Sequence, residues 1–220
     1  AGGGGPTVRS INWVDSSMIL GTGSNEIFEV DVGSGRVRVV HQSHSGELWG
    51  CATHPTKDLF ATACNDKSVR IWDATTRKQL RCVNVDVDAK SVGFSPDGRH
   101  LAVGHDGGLL TIFESDGLQT LLQHKDRAEG IFDVKYSPDG TYLAVGSHDN
   151  VVDVYEVSAP GVSGPTYKRV HALKGHSSFI THLDWSTDSK TIRSTCGAYE
   201  LLYWDAGSGK RIPYTEQMRD

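Results

Sequence analysis

The sequence has no apolar run longer than four residues, the longest being Tyr142 to Val145 and Leu201 to Trp204. A membrane-spanning helix, which needs roughly 20 apolar residues in succession, is therefore excluded. A basic excess is also missing: 22 Lys and Arg stand against 27 Asp and Glu, a net charge of −5 over 220 residues. Binding nucleic acid through phosphate neutralisation needs a concentrated basic surface, so neither nucleic acid nor membrane is an expected partner. Cysteine is sparse, and Cys51, Cys64, Cys82 and Cys196 are spaced 13, 18 and 114 apart with no C-x-x-C pair. With no Asn-x-Ser/Thr acceptor in the chain, this pattern suits a reducing compartment in which the cysteines act as small buried apolar residues. The opening Ala-Gly-Gly-Gly-Gly-Pro lacks the basic and apolar regions of a secretory leader, and residues 1–6 read as a flexible lead-in. What is present is 37 % hydrophobic residues together with 25 glycines, enough for a core interrupted by frequent turns.

Internal repetition dominates the rest. The anchors Trp13, Thr53, Phe94, Tyr136 and Trp185 lie 40, 41, 42 and 49 residues apart. A second column, Asp31, Asp73, Glu114, Glu156 and Asp205, follows Val30, Trp72, Phe113, Tyr155 and Trp204 at spacings of 42, 41, 42 and 49. Two columns with one period define five units. The expected blocks are 7–47, 48–88, 89–130, 131–179 and 180–220, with the extra residues of the fourth in a Pro/Gly/Ser-rich surface loop over 158–168.

Within each unit, apolar residues come in short alternating runs bounded by turn chemistry, which predicts strands rather than helices. In the second unit the strands are expected at Leu48 to Thr53, Leu59 to Cys64, Val69 to Trp72 and near Gln79 to Val83. Pro-Asp-Gly at 96–98 and again at 138–140 marks a recurrent tight turn, Pro fixing φ and Gly supplying a positive one. A four-stranded unit of this size cannot cover both its faces, and radial stacking of such units buries them against one another. The expected fold is all-β, a WD40-type β-propeller with five four-stranded blades as part of a larger one. The columns Val8, Leu48, Ala89, Ile131, Ile180 and Ile11, Cys51, Val92, Val134, Leu183 are its expected inter-blade core.

The period, the closing aromatic-acid pairs and Gly175-His176 resemble the WD40 repeat. The stretches His44 to Gly50, Tyr142 to Asn150, Gly175 to Ser186 and Tyr199 to Trp204 resemble, more narrowly, the echinoderm microtubule-associated protein-like family, in its C-terminal propeller. The resemblance runs from about Thr7 to Asp220, and Thr215 to Asp220 looks like the start of a further blade. It implies a non-enzymatic interaction platform of a microtubule-associated protein that binds or organises microtubules and tubulin. It also implies other cytoskeletal or axonemal partners, and a place in the cytoplasm, the cytoskeleton or the axoneme of a cilium or flagellum. A WD40 scaffold that binds a peptide or regulatory protein without touching tubulin is the other reading, since an acidic propeller gains nothing from steering toward an acidic tubulin surface.

By the same resemblance, His44, Thr62, Asp66 and Trp72 form a structural hydrogen-bond chain and not a hydrolase triad, because a buried polar network must satisfy its own members. Aligned on Asp66, the other units offer Ser24, Gly107, Asp149 and Ala198; the resemblance implies an Asp where Ala198 stands, so the fifth blade's turn is expected to be less rigid. His41, His44 and His54 do not share one face and lack a completing Cys or carboxylate, and Gly207-Ser208-Gly209-Lys210 reads as a hairpin turn rather than a phosphate loop. No catalytic residue, metal or cofactor is expected. Trp49, Phe132 and Phe179 are large aromatics at positions where other repeats carry small or polar residues, and with Glu47 and Arg193 they form the candidate partner surface. Arg193 stands in a column otherwise filled by Ile19, Ala61, Ala102 and Ala144, so it reaches a central channel or needs a buried partner such as Glu200 or Asp184.

Overall fold

The computed structural model describes residues 7–161 and 164–213, which fall into two compact units, 1–47 and 48–220. The lead-in and the segment from Thr215 onward lie outside the described residues. The described residues form five four-stranded antiparallel sheets, each in simple sequence order, and these are blades of a β-propeller.

The first unit is one sheet of β1 (Val8–Val14), β2 (Ser17–Thr22), β3 (Ile27–Asp31) and β4 (Val37–His41). Contrary to the core assignment, Val8 and Ile11 are exposed, and no described residue of this unit is fully buried. An apolar column marks which side of a sheet is fit for burial; a single sheet supplies no second layer to bury it.

The second unit holds four sheets. The first contains β5 (Leu48–Thr53), β6 (Leu59–Cys64), β7 (Ser68–Asp73) and β8 (Gln79–Asn84), each within one residue of the sequence-based boundaries. Next come β9 (Ala89–Phe94), β10 (His100–His105), β11 (Leu109–Glu114) and β12 (Thr120–Lys125). The third is built from β13 (Ile131–Tyr136), β14 (Tyr142–Ser147), β15 (Val151–Gly161) and β16 (Gly164–Lys174). The last has β17 (Ile180–Trp185), β18 (Thr191–Cys196), β19 (Leu201–Asp205) and β20 (Arg211–Ile212). Where a surface loop was expected over 158–168, β15 and β16 instead extend as one long hairpin, paired from Val151–Lys174 out to Gly161–Gly164.

The inner strands pack in series, β5 on β9, β9 on β13 and β13 on β17, and the core lies between the sheets. Ala61, Val69 and Ile71 meet Ala89, Val92 and Leu101; Ala102 and Ile112 meet Ile131, Val134 and Leu143; Ala144, Val152 and Val154 meet Ile180, Leu183 and Ile192. Each such Val, Leu or Ile side chain contributes roughly 1.5–3 kcal/mol by leaving water. Leu48 and Cys51, expected in this core, are exposed on β5, the inner strand at one end of the series. Polar bonds also join the inner strands: Ser91 Oγ donates to the Ile131 carbonyl at 2.9 Å, and the Leu183 amide donates to Asp133 Oδ2 at 2.8 Å. Gly93 makes the approach possible, since a Cβ there would lie 3.0 Å from the Val134 carbonyl oxygen.

The recurrent acid that closes the third strand has a local cause. Asp31, Asp73 and Asp205 each accept both the amide and the hydroxyl of the residue three positions on, Ser34, Thr76 and Ser208, which closes the turn from third to fourth strand. Gly207 to Lys210 is that turn in the last blade, with Gly209 at φ +66°. The Pro-Asp-Gly turns are pinned similarly: Ser95 Oγ donates to Asp97 Oδ1 and Ser137 Oγ to Asp139 Oδ1, both at 2.6 Å, with Gly98 at φ +71° and Gly140 at φ +76°.

Candidate functional site

The turn between second and third strands lies beside the start of the inner strand, because the two strands are antiparallel; Leu48 pairs with Cys64 and Ile180 with Cys196. Each blade must tie this turn to the loop leading into its inner strand. In the second blade Trp72 Nε1 donates to Thr62 Oγ1 at 2.7 Å in the buried interior. Asp66 accepts the Ser68 amide at 3.0 Å and the Ser68 hydroxyl at 2.6 Å, and Arg70 Nη2 lies 3.3 Å from its other oxygen. His44, half-buried, belongs to the first unit, where its carbonyl accepts from Asn25 Nδ2 at 3.0 Å.

The last blade holds a chain the spacing argument did not find. Trp204 Nε1 donates to Ser194 Oγ at 2.8 Å, and Ser194 Oγ lies 2.7 Å from His176 Nε2. An indole only donates, so the serine proton is free for Nε2 and the ring proton of a neutral His176 sits on Nδ1. That atom lies 3.4 Å from Glu200 Oε2, a long contact. Glu200 Oε2 also accepts the Ser177 amide at 2.8 Å and the Cys196 thiol at 3.2 Å. The Ser177 amide, seconded by the thiol, holds the Glu200 carboxyl down to about 2, while burial pushes His176 below the usual histidine value. A carboxylate one methylene longer than aspartate, placed two residues after Ala198, bonds the inner-strand loop in this blade.

The intermediate blades solve the same problem with other groups. His105 Nδ1 lies 3.3 Å from the Val87 carbonyl where Gly107 takes the acid's place, and burial lowers the pKa of this imidazole. Asp149 Oδ2 accepts the Ala128 amide at 3.0 Å and the Glu129 amide at 3.4 Å. His176, Cys196 and Glu200 present donor atoms within 4.8 Å of one another, but the thiol already donates to the carboxylate, which also accepts the Ser177 amide. His54 Nδ1 accepts the Thr56 and Lys57 amides at 3.2 and 3.1 Å, capping a turn, while His41 is exposed on β4.

The aromatic candidates of the second unit come together. Trp49 and Phe132 meet edge to face at 5.6 Å, Phe132 stacks on His148 at 3.8 Å, and His148 meets Phe179 at 4.7 Å. Lys90 Nζ sits 5.5 Å from the Trp49 ring centre and 5.6 Å from that of Phe132, and donates to Asn65 Oδ1 at 2.7 Å. Sequence reading did not single out Lys90 or His148, whose ring contacts depend on the assembled sheets. Glu47 is exposed at the end of the first unit. Arg193 needs no buried partner, because it is exposed and forms an ion pair with Asp184, directly opposite on β17.

Two polar groups elsewhere carried no sequence signal. Buried Asp153 is bound through both oxygens by Arg127, with Nε to Oδ2 at 2.6 Å. In the hairpin expected as loop, buried Tyr167 joins Tyr136 Oη at 2.8 Å to His100 Nδ1 at 2.9 Å, and burial pushes its phenol up to about 12.

Four-stranded sheets repeated at this period, with a Trp–hydroxyl bond inside the second and last blades and a histidine joined to it in the last, define a β-propeller of the WD-repeat class. The family model described as echinoderm microtubule-associated protein second beta-propeller matches residues 48–220. The chain is 39 % identical over 216 residues to the 77 kDa echinoderm microtubule-associated protein of Strongylocentrotus purpuratus, covering 98 % of this chain and 31 % of that protein. It is 41 % identical over 204 residues to echinoderm microtubule-associated protein-like 2 of Rattus norvegicus, covering 93 % of this chain and 31 % of that protein. For echinoderm microtubule-associated protein-like 1 of Homo sapiens the figures are 38 % over 203 residues, 92 % and 24 %. The chain belongs to the echinoderm microtubule-associated protein family and spans about a third or less of the length of these relatives.

Proposed function

We propose that the chain is a non-enzymatic interaction platform of a microtubule-associated protein, through which the whole protein helps to bind or organise microtubules in the cytoskeleton, including the axoneme of a cilium or flagellum. The observation that carries this reading is likeness to microtubule-associated proteins over 98 % of the chain. The chemistry supports a platform rather than a catalyst. The His–hydroxyl–Trp chain of the last blade is spent on tying strands, and its hydroxyl is held between two ring nitrogens instead of facing a cleft. Within this reading, the aromatic edge of Trp49, Phe132 and Phe179 is a partner surface, and the exposed Glu47 and Arg193 are assigned to the same role.

A second reading, a WD-repeat scaffold that binds a peptide or regulatory protein without touching tubulin, is favoured by the net charge of −5. Imaging separates the two. The full-length gene product, fused to a fluorophore, is expected to align with microtubules and to disperse when they are depolymerised, and a diffuse signal insensitive to depolymerisation sinks the microtubule reading.

A further inference from the structure

The aromatic edge has a charge pattern of its own. Register places the inner-strand starts beside the turns from second to third strand in all four blades of the second unit, with Ala89 opposite His105 and Ile131 opposite Ser147. Adjacent blades meet there: a Cβ on Gly130 would lie 3.0 Å from Asp106 Oδ1 and 2.6 Å from the Phe132 ring. The row of rings runs from Trp49 through Phe132 and His148 to Phe179, and its two ends are open, Trp49 being 52 % and Phe179 42 % exposed. Around it the loops carry Asp86, Asp88, Asp106 and Glu129, all at least partly exposed. The cations among them are Lys67, exposed, and Arg127, whose charge is bound by Asp153. His148 is held below its usual pKa by burial, against the pull of Asp106 and Glu129 and with the push of Lys90, so it is neutral near pH 7.

Such an edge attracts cations and repels acids. Lys90, itself buried, holds an ammonium against the Trp49 and Phe132 rings, so the aromatic row accommodates positive charge. A guanidinium suits the open ends better than an ammonium, being planar and weakly hydrated, so that it stacks on a ring while its N–H groups reach carboxylates.

We infer that this edge docks an extended, arginine-bearing basic segment of a protein partner, the guanidinium groups stacking on Trp49 and Phe179 and pairing with Asp106 and Glu129. The inference rests on the platform reading only in that a partner docks here, and it does not depend on microtubule attachment. It assigns the edge to a basic ligand, so an acidic surface such as that of tubulin has to meet the protein elsewhere.

The test titrates the 220-residue chain with fluorescein-labelled Gly/Ser peptides bearing several arginines, the same number of lysines, or the same number of glutamates, followed by polarisation. Saturable binding of the arginine peptide, weaker binding of the lysine peptide and none of the glutamate peptide are expected. Trp49→Leu and Phe179→Leu keep an apolar side chain and remove the π faces, the second also giving up the ring-tip packing on Gly197. Each is expected to weaken the arginine peptide at least about threefold while the chain still unfolds in one cooperative transition. Asp106→Asn combined with Glu129→Gln should weaken arginine and lysine peptides alike. Equal binding of the arginine peptide to wild type and both leucine variants would mean unspecific charge attraction and would overturn the inference. So would no saturable binding, or preference for the glutamate peptide. Microtubule alignment of the full-length protein is read separately, so the two proposals fail independently.

Discussion

Glu200 Oε2 accepts the Ser177 amide at 2.8 Å, and so joins the turn after the second strand of the last blade to the loop that begins its first. The carboxylate closes a chain that starts in the core at Trp204 and passes through Ser194 and His176. Because the chain ends at the surface, its links differ in what their loss costs. Ser194→Ala leaves the Trp204 N–H and His176 Nε2 buried without a partner, and is expected to cost about 1–3 kcal/mol in urea unfolding. Glu200→Ala is expected to lower the midpoint less than Ser194→Ala and to speed hydrogen exchange at the Ser177 amide. Unchanged protection of that amide would remove Glu200 from the chain.

Gly98 and Gly140 occupy equivalent turns with nearly equal positive φ, yet only the first is crowded. A Cβ on Gly98 would lie 2.3 Å from His54 Cε1, whereas on Gly140 the nearest atom is Pro96 Cδ at 3.7 Å. Gly140→Ala is expected to cost about 1 kcal/mol from backbone strain alone, and Gly98→Ala more than about 2 kcal/mol because the imidazole must also move. The excess should shrink in a His54→Ala background. Equal costs for the two glycines would contradict the packing described for His54.

Asp153 is buried with its charge held by Arg127 and, more distantly, by Arg169 at 3.9 Å. Asp153→Ala strands a largely buried guanidinium and is expected to destabilise the protein by about 3–5 kcal/mol. Replacing Asp153 and Arg127 together by apolar residues is expected to cost less than the single change, which chemical denaturation of the double variant measures.

His105 and His176 are both held below the ordinary histidine pKa, chiefly by desolvation. The folded state therefore binds fewer protons than the unfolded one just below pH 6.5. Their contribution is complete above that pH and is lost as pH falls toward the folded pKa values. Stability is expected to decline between pH 7.5 and 5.5, before the carboxylates titrate. His105→Asn, which keeps a polar side chain but does not ionise, should flatten part of that slope in pH-dependent unfolding.

The blade plan was legible because it is written in local chemistry. Turn residues bounded β5 to β8 within one residue, and the period fixed how many sheets to expect. Contacts set by distant partners were hidden. Tyr167 sits in a Pro/Gly/Ser-rich stretch that reads as loop, and its partner His100 is 67 residues away. Glu200 was considered only as a partner for Arg193, and its bond to the inner-strand loop was missed because alignment on spacing asks for a carboxylate at Ala198. The exposed Val8, Ile11 and Leu48 make the complementary point, since a periodic pattern reports which face is apolar and not whether another layer covers it. For the candidate surface, Trp49 and Phe132 stood out in one column and Phe179 in another, but the stacking of His148 between Phe132 and Phe179 required the sheets to be assembled.

Co-sedimentation with taxol-stabilised microtubules across a salt series, using the full-length gene product beside the 220-residue chain, tests the central claim most directly. The full-length protein is expected to pellet with microtubules and the acidic 220-residue chain to stay in the supernatant at every salt concentration. A full-length protein that remains in the supernatant at low salt would contradict the assignment to a microtubule-associated platform.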